Sequence, residues 1–160
     1  MTPFYRGIAV AVVECAMVLS LAGKYAMDRE RLPRAWAKAA PADPNLPIRG
    51  RYVSVRLEAV LPPGATGAWV SAQLSAENGQ LVATPVASPA DTGVTLSPAG
   101  ANRWAVFEPV AFFIPEHVPD PSRRAPGEEL WVEVSVPRKG PPRPVRLGVK
   151  KDGVLTPLDL

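Results

Sequence analysis

The amino-acid sequence predicts an all-β domain, a small antiparallel barrel or sandwich of seven to eight short strands, preceded by one N-terminal transmembrane helix. Residues 7–23 read GIAVAVVECAMVLSLAG, a mostly apolar run with one charge, Glu14. Beyond residue 50, aliphatic residues alternate with polar ones, the period of a half-buried strand. Twenty of the 160 residues are proline, against about 5% in an average protein. They fall between the apolar runs, where a residue that fixes φ and lacks a backbone donor is tolerated. The chain therefore divides into an anchor or signal peptide (1–23), a helical stalk and Pro-rich linker (24–49) and a β-domain (50–160).

Seventeen apolar residues span about 26 Å as a helix, a little short of a bilayer core of about 30 Å. Arg6 and Lys24 flank them, and their stems extend the span by snorkelling. Ser20-Leu21-Ala22 offers small residues for signal-peptide cleavage, but the apolar run exceeds an ordinary signal core, which favours a retained anchor in the lipid bilayer. The Lys and Arg count after the helix argues for a cytoplasmic domain; a short first helix behind a basic residue is the usual form of a signal-anchor.

Residues 24–38, KYAMDRERLPRAWAK, read as a helical stalk with a break near Pro33, and 39–50 as an extended Pro-rich linker. A strand follows over 51–58, with Val53, Val55 and Leu57 on one face and Tyr52, Ser54, Arg56 and Glu58 on the other. A second strand over 67–75 turns at Asn78-Gly79, two residues that tolerate positive φ, and returns over 80–87, where Pro85 marks an edge or bulge. Residues 88–101 are turn-rich with a short strand at 94–96. Segments 104–107 and 110–114 form a strand pair or one bent strand, and 115–127 a long loop. Leu130, Val132, Val134 and Val136 alternate with Glu129, Trp131, Glu133 and Ser135. Val145, Leu147 and Val149 form the next strand, and Lys151-Asp152-Gly153 turns into a last one at 154–158.

Composition narrows the function. The net charge is +3 and the arginines are scattered, which argues against a nucleic-acid face. One cysteine, Cys15, permits neither an intrachain disulfide nor a cysteine metal site, and Glu14 before it argues against lipid modification. One histidine, His117, rules out a His-pair metal site. No cofactor is expected.

The stretch 41–57, PADPNLPIRGRYVSVRL, resembles the bacterial family named for its GDYxxLxY signature. The later Phe112-Phe113-Ile114-Pro115-Glu116 is similar to that family's aromatic-Pro-Glu stretch, as is the strand-turn-strand around Asp152-Gly153. Arg51 stands where the signature has Asp, Val55 where it has Leu, and Leu57 where it has the last Tyr. The apolar replacements keep the strand face, whereas Arg51 reverses a charge. The resemblance implies a protein anchored in the inner membrane with its β-domain on the periplasmic side; it implies no activity.

Candidate binding residues are Arg49, Gly50, Arg51 and Tyr52, where Gly50 permits a close approach and Tyr52 could cover a pocket, and Glu116 with His117, the only histidine beside an acid. No catalytic residue is assigned: a serine–lysine hydrolase needs a serine just beyond the anchor, and the first, Ser54, lies within a strand. Outward aromatics at Tyr52, Trp69 and Trp131 favour a non-enzymatic, membrane-tethered module that binds another envelope protein. The alternative is a membrane-anchored hydrolase with an unrecognised site.

Overall fold

The computed structural model describes residues 3–42, 52–63, 67–87, 94–100 and 103–159. They belong to two compact units, Met1–Leu32 and Pro33–Leu160.

The first unit is one helix, α1 (Pro3–Arg31). Its stretch Phe4–Asp28, 25 residues, is long and apolar enough to cross a membrane. At 1.5 Å per residue it measures about 38 Å, more than the ~30 Å of hydrocarbon. Ser20 inside it donates its hydroxyl to the Met17 carbonyl at 2.8 Å, so this polar group is satisfied within the helix. The helix stops where Pro33 lacks an N–H and disfavours helical geometry at Leu32.

The second unit holds ten strands among the described residues: β1 (Arg34–Pro41), β2 (Tyr52–Ala59), β3 (Val70–Glu77), β4 (Gln80–Pro85), β5 (Thr95–Gly100), β6 (Arg103–Val106), β7 (Val110–Phe113), β8 (Glu128–Ser135), β9 (Arg143–Lys151) and β10 (Val154–Pro157). Six of them, β1-β4-β3-β5-β6-β2, pair in a closed cycle because β2 returns to β1, so the fold is a β-barrel. β7 adds to β2, while β8, β9 and β10 continue outward from β1.

The strand count exceeds the expected seven to eight, and one addition corrects the sequence reading. Residues 34–38 were expected in the helical stalk and 39–41 in the linker, yet all belong to β1. Alanine favours helix, but Ala35, Ala37 and Ala39 are buried in alternation. Their small side chains let β1 sit within the core while β8 and β2 pair with it. Tertiary pairing overrides local propensity here.

The remaining elements follow the period-2 pattern. Val53, Val55, Leu57 and Ala59 of β2 point inward with Leu130, Val132 and Val134 of β8, joined by Leu81, Leu96 and Leu147. Each valine or leucine among them contributes roughly 1.5–3 kcal/mol by leaving water. Asn78 (φ 50°) and Gly79 (φ 75°) both adopt left-handed geometry, and Glu77 faces Gln80 across them, the two-residue hairpin that right-twisted strands favour. Asp152 and Gly153 repeat this turn between β9 and β10. In β9 the register passes over Val145, between the pairs Glu133↔Arg146 and Val134↔Pro144, a bulge that shifts its alternation.

Candidate functional site

Three strands meet pairwise around a gap in the barrel wall. β1 pairs with β2 through Ala39, Ala40 and Pro41 and with β4 at Trp36↔Gln80. Just past its own end, β2 reaches β4 at Val60↔Val82. Backbone hydrogen bonds tie them together: Trp36 N–H to the Gly79 carbonyl at 2.7 Å, Val60 N–H to Leu81 at 3.0 Å and Ala83 N–H to Val60 at 2.8 Å. Between these closures lies a cleft of about 270 Å³. Core-facing Ala37, Ala59 and Leu81 form its floor, Trp36 and Trp131 stand at its sides, and Lys38, Glu58 and Arg103 carry its charge.

The two indoles are held by their neighbours. Trp36 lies against Gly148 of β9, and the Arg146 guanidinium stands 5.5 Å from its ring centre. Arg146 is itself fixed by Glu133, to which its Nε donates at 2.6 Å; Arg34 approaches the same carboxylate at 4.0 Å. Glu133 and Ser135 were expected to face outward, but both are buried. Trp131 donates its Nε1–H to Glu129 at 3.2 Å, and Lys150 Nζ stands 4.7 Å from its ring centre, a cation–π distance. Glu129 also accepts from Lys38. That hydrogen bond holds the Glu129 carboxyl below its ordinary range; partial burial opposes the effect, and the Trp131 bond and the Lys38 and Lys150 charges add to it.

A second cavity of about 490 Å³ adjoins the first, sharing Lys38, Glu58 and Arg103, and runs to Ser122, Arg124 and Glu128. Ser122 is pinned to Asp120 Oδ1 by its backbone N–H at 2.9 Å and its hydroxyl at 2.7 Å, an Asx-type turn that shapes the loop. At the shared rim Arg103 pairs with Glu58 at 3.4 Å, and Glu128 of the second cavity pairs with Lys151 at 3.4 Å.

The residues singled out by sequence lie elsewhere. Arg49, Gly50 and Arg51 fall outside the described residues. Tyr52 is half-buried at the start of β2, its ring 6.2 Å from that of Phe113. Glu116 and His117 are both exposed in a turn after β7, and neither lines the two cavities. Trp69 is exposed and meets Phe107 edge-on at 4.8 Å. Of the outward aromatics only Trp131 reaches the cleft. Trp36, Lys38 and Arg103 were missed. For the first two a signal existed: they alternate with Ala35, Ala37 and Ala39.

This arrangement is suited to binding. Indole faces and an apolar floor remove an apolar group from water, while ion pairs at the rim orient polar ones. Among the described residues no three His, Cys, Asp or Glu side chains are grouped to hold a metal ion. No protein-family model matches the chain, and no curated protein or solved structure matches it.

Proposed function

We propose that this chain is a membrane-tethered, non-enzymatic interaction module of the bacterial envelope, anchored in the inner-membrane bilayer through residues 7–23, with its barrel on the periplasmic side. It docks another envelope protein at the gap between β1, β2 and β4. The observation that carries the reading is the cleft itself: the buried core residues Ala37, Ala59 and Leu81 form the floor of an opening flanked by two tryptophans. A filled barrel closes its wall over such residues, and an opening lined by indoles is the composition of an interface centre. The resemblance of residues 41–57 to the GDYxxLxY family supports the placement.

Two measurements test it. Alkaline phosphatase fused to the C-terminus is expected to be active in cells and a cytosol-dependent reporter silent; the opposite pattern refutes the sidedness. A photo-cross-linking amino acid at Leu61 is expected to give a discrete adduct with an envelope protein, weakened by Trp131→Ala and missing when the probe sits at exposed Val154. No adduct, or equal adducts at both positions, refutes docking at the cleft.

A further inference from the structure

The two adjoining cavities differ in chemistry. Trp36, Trp131, Val60 and Leu61 make the far part of one apolar. The other is ionic, and its charges are unevenly matched. Three carboxylates line it, each with its own cation: Lys38 for Glu129, Arg103 for Glu58 and Lys151 for Glu128. Arg124 lines it too, with no carboxylate partner among the described residues, and its Nε is buried without a hydrogen-bond acceptor. A buried donor left unmade is destabilising. Arginine cannot relieve that by losing its proton; a small movement that brings the guanidinium fork onto an incoming anion can.

We infer that Arg124 is a carboxylate subsite: it takes an acidic group of a docked peptide segment, while an adjacent apolar side chain of that segment fills the space between Trp36, Trp131 and Leu61. The inference rests on the docking reading above and names what the partner must present. A planar guanidinium fork matches a carboxylate with two parallel hydrogen bonds. The cavities, about 270 and 490 Å³, fall near the range of small-ligand pockets, roughly 300–1,000 Å³, which suits a short segment and not a broad protein face.

The test uses the full chain, ¹⁵N-labelled in phosphocholine micelles. The indole N–H signals of Trp36 and Trp131 and the Nε–H signal of Arg124 are followed during titration with three probes: N-acetyl-Leu-Gly, its C-terminal amide, and N-acetyl-Leu-Glu amide. Saturable shifts are expected, with the carboxylate probes binding roughly tenfold tighter than the plain amide. Preference for the first probe alone makes a chain terminus the source of the carboxylate; equal binding of the third makes it an acidic side chain. Arg124→Gln is expected to erase the preference, Arg124→Lys to keep part of it, and Arg123→Gln at the exposed neighbour to leave it intact. Equal affinity of acid and amide for the unaltered chain, or no shift from any probe, overturns the subsite and leaves the Leu61 cross-link to decide docking separately. Loss of that cross-link with the acid preference intact overturns the protein partner and keeps the anion subsite.

Discussion

The Trp36 indole occupies the space that Gly148 leaves by having no side chain: a Cβ at residue 148 would stand 2.8 Å from Cζ3 and 3.0 Å from Cη2. Two strands that do not pair directly, β1 and β9, are thereby locked across β8, and one side of the cleft is set. Gly148→Ala is expected to destabilise the barrel by about 1–3 kcal/mol through overpacking, read as a lower urea midpoint. In a Trp36→Ala background the same change should cost much less, so a double-mutant cycle isolates the contact.

Arg146 should matter more to stability than its exposure suggests. Its side chain is half exposed, yet it serves a Glu133 whose side chain is only 8% exposed. Removing it strands a buried carboxylate, with Arg34 at 4.0 Å the remaining cation. Arg146→Ala is expected to cost about 2–3 kcal/mol. Glu133→Gln should cost less, because the freed Arg146 can be hydrated. Equilibrium unfolding of both variants checks the order.

Much of this architecture is legible in the sequence, for identifiable reasons. Val53-Val55-Leu57 and Leu130-Val132-Val134 alternate with polar neighbours, and β-branched residues on one face leave strand as the economical reading. Asn78-Gly79 and Asp152-Gly153 fix two hairpins through backbone geometry alone. β1 is hidden because its buried face is alanine, a helix former too small to register as a hydrophobic stripe. Glu133 and Ser135 are misassigned because Arg34 and Trp36, distant in sequence, and Arg146 of the neighbouring strand come to that face. The cleft is illegible for the same reason, since it exists only where β1, β2 and β4 converge. Trp36 and Arg124, 88 positions apart by their numbers, carry no local mark of belonging to adjoining cavities.

The turn at Asn78-Gly79 should be coupled to the cleft. The Gly79 carbonyl accepts the Trp36 N–H at 2.7 Å, and φ 75° at this residue is costly for any side chain. Gly79→Ala is expected to lose about 1–2 kcal/mol and to move the Trp36 indole signal in an NMR spectrum. The matching change at Gly153, at the far hairpin, should cost a similar amount without moving that signal.

Acid should loosen the Lys38 side of the rim. The Glu129 carboxyl is held below its ordinary value of 4.5 chiefly by the Lys38 hydrogen bond. A depressed folded-state value means that the stabilisation is present above about pH 4.5 and is lost as pH falls through the lower folded value. The Glu129 side chain is 42% exposed, so screening keeps the effect small. Urea midpoints measured from pH 7 to pH 3 are expected to fall slightly less steeply for Glu129→Gln than for the unaltered chain, and the Trp131 indole N–H should shift in the same acid range.

Residues 34–41 carry the barrel closure and the cleft together, so amide hydrogen exchange on the full chain in micelles tests the account most directly. The Trp36 amide, bonded to Gly79, and the Val60 amide, bonded to Leu81, are expected to exchange far more slowly than amides in the loop of residues 115–127, with strand-type chemical shifts at Ala35, Ala37 and Ala39. Loop-like exchange at Trp36 and Val60, or helical shifts across residues 34–41, would contradict the three-strand junction and with it the site.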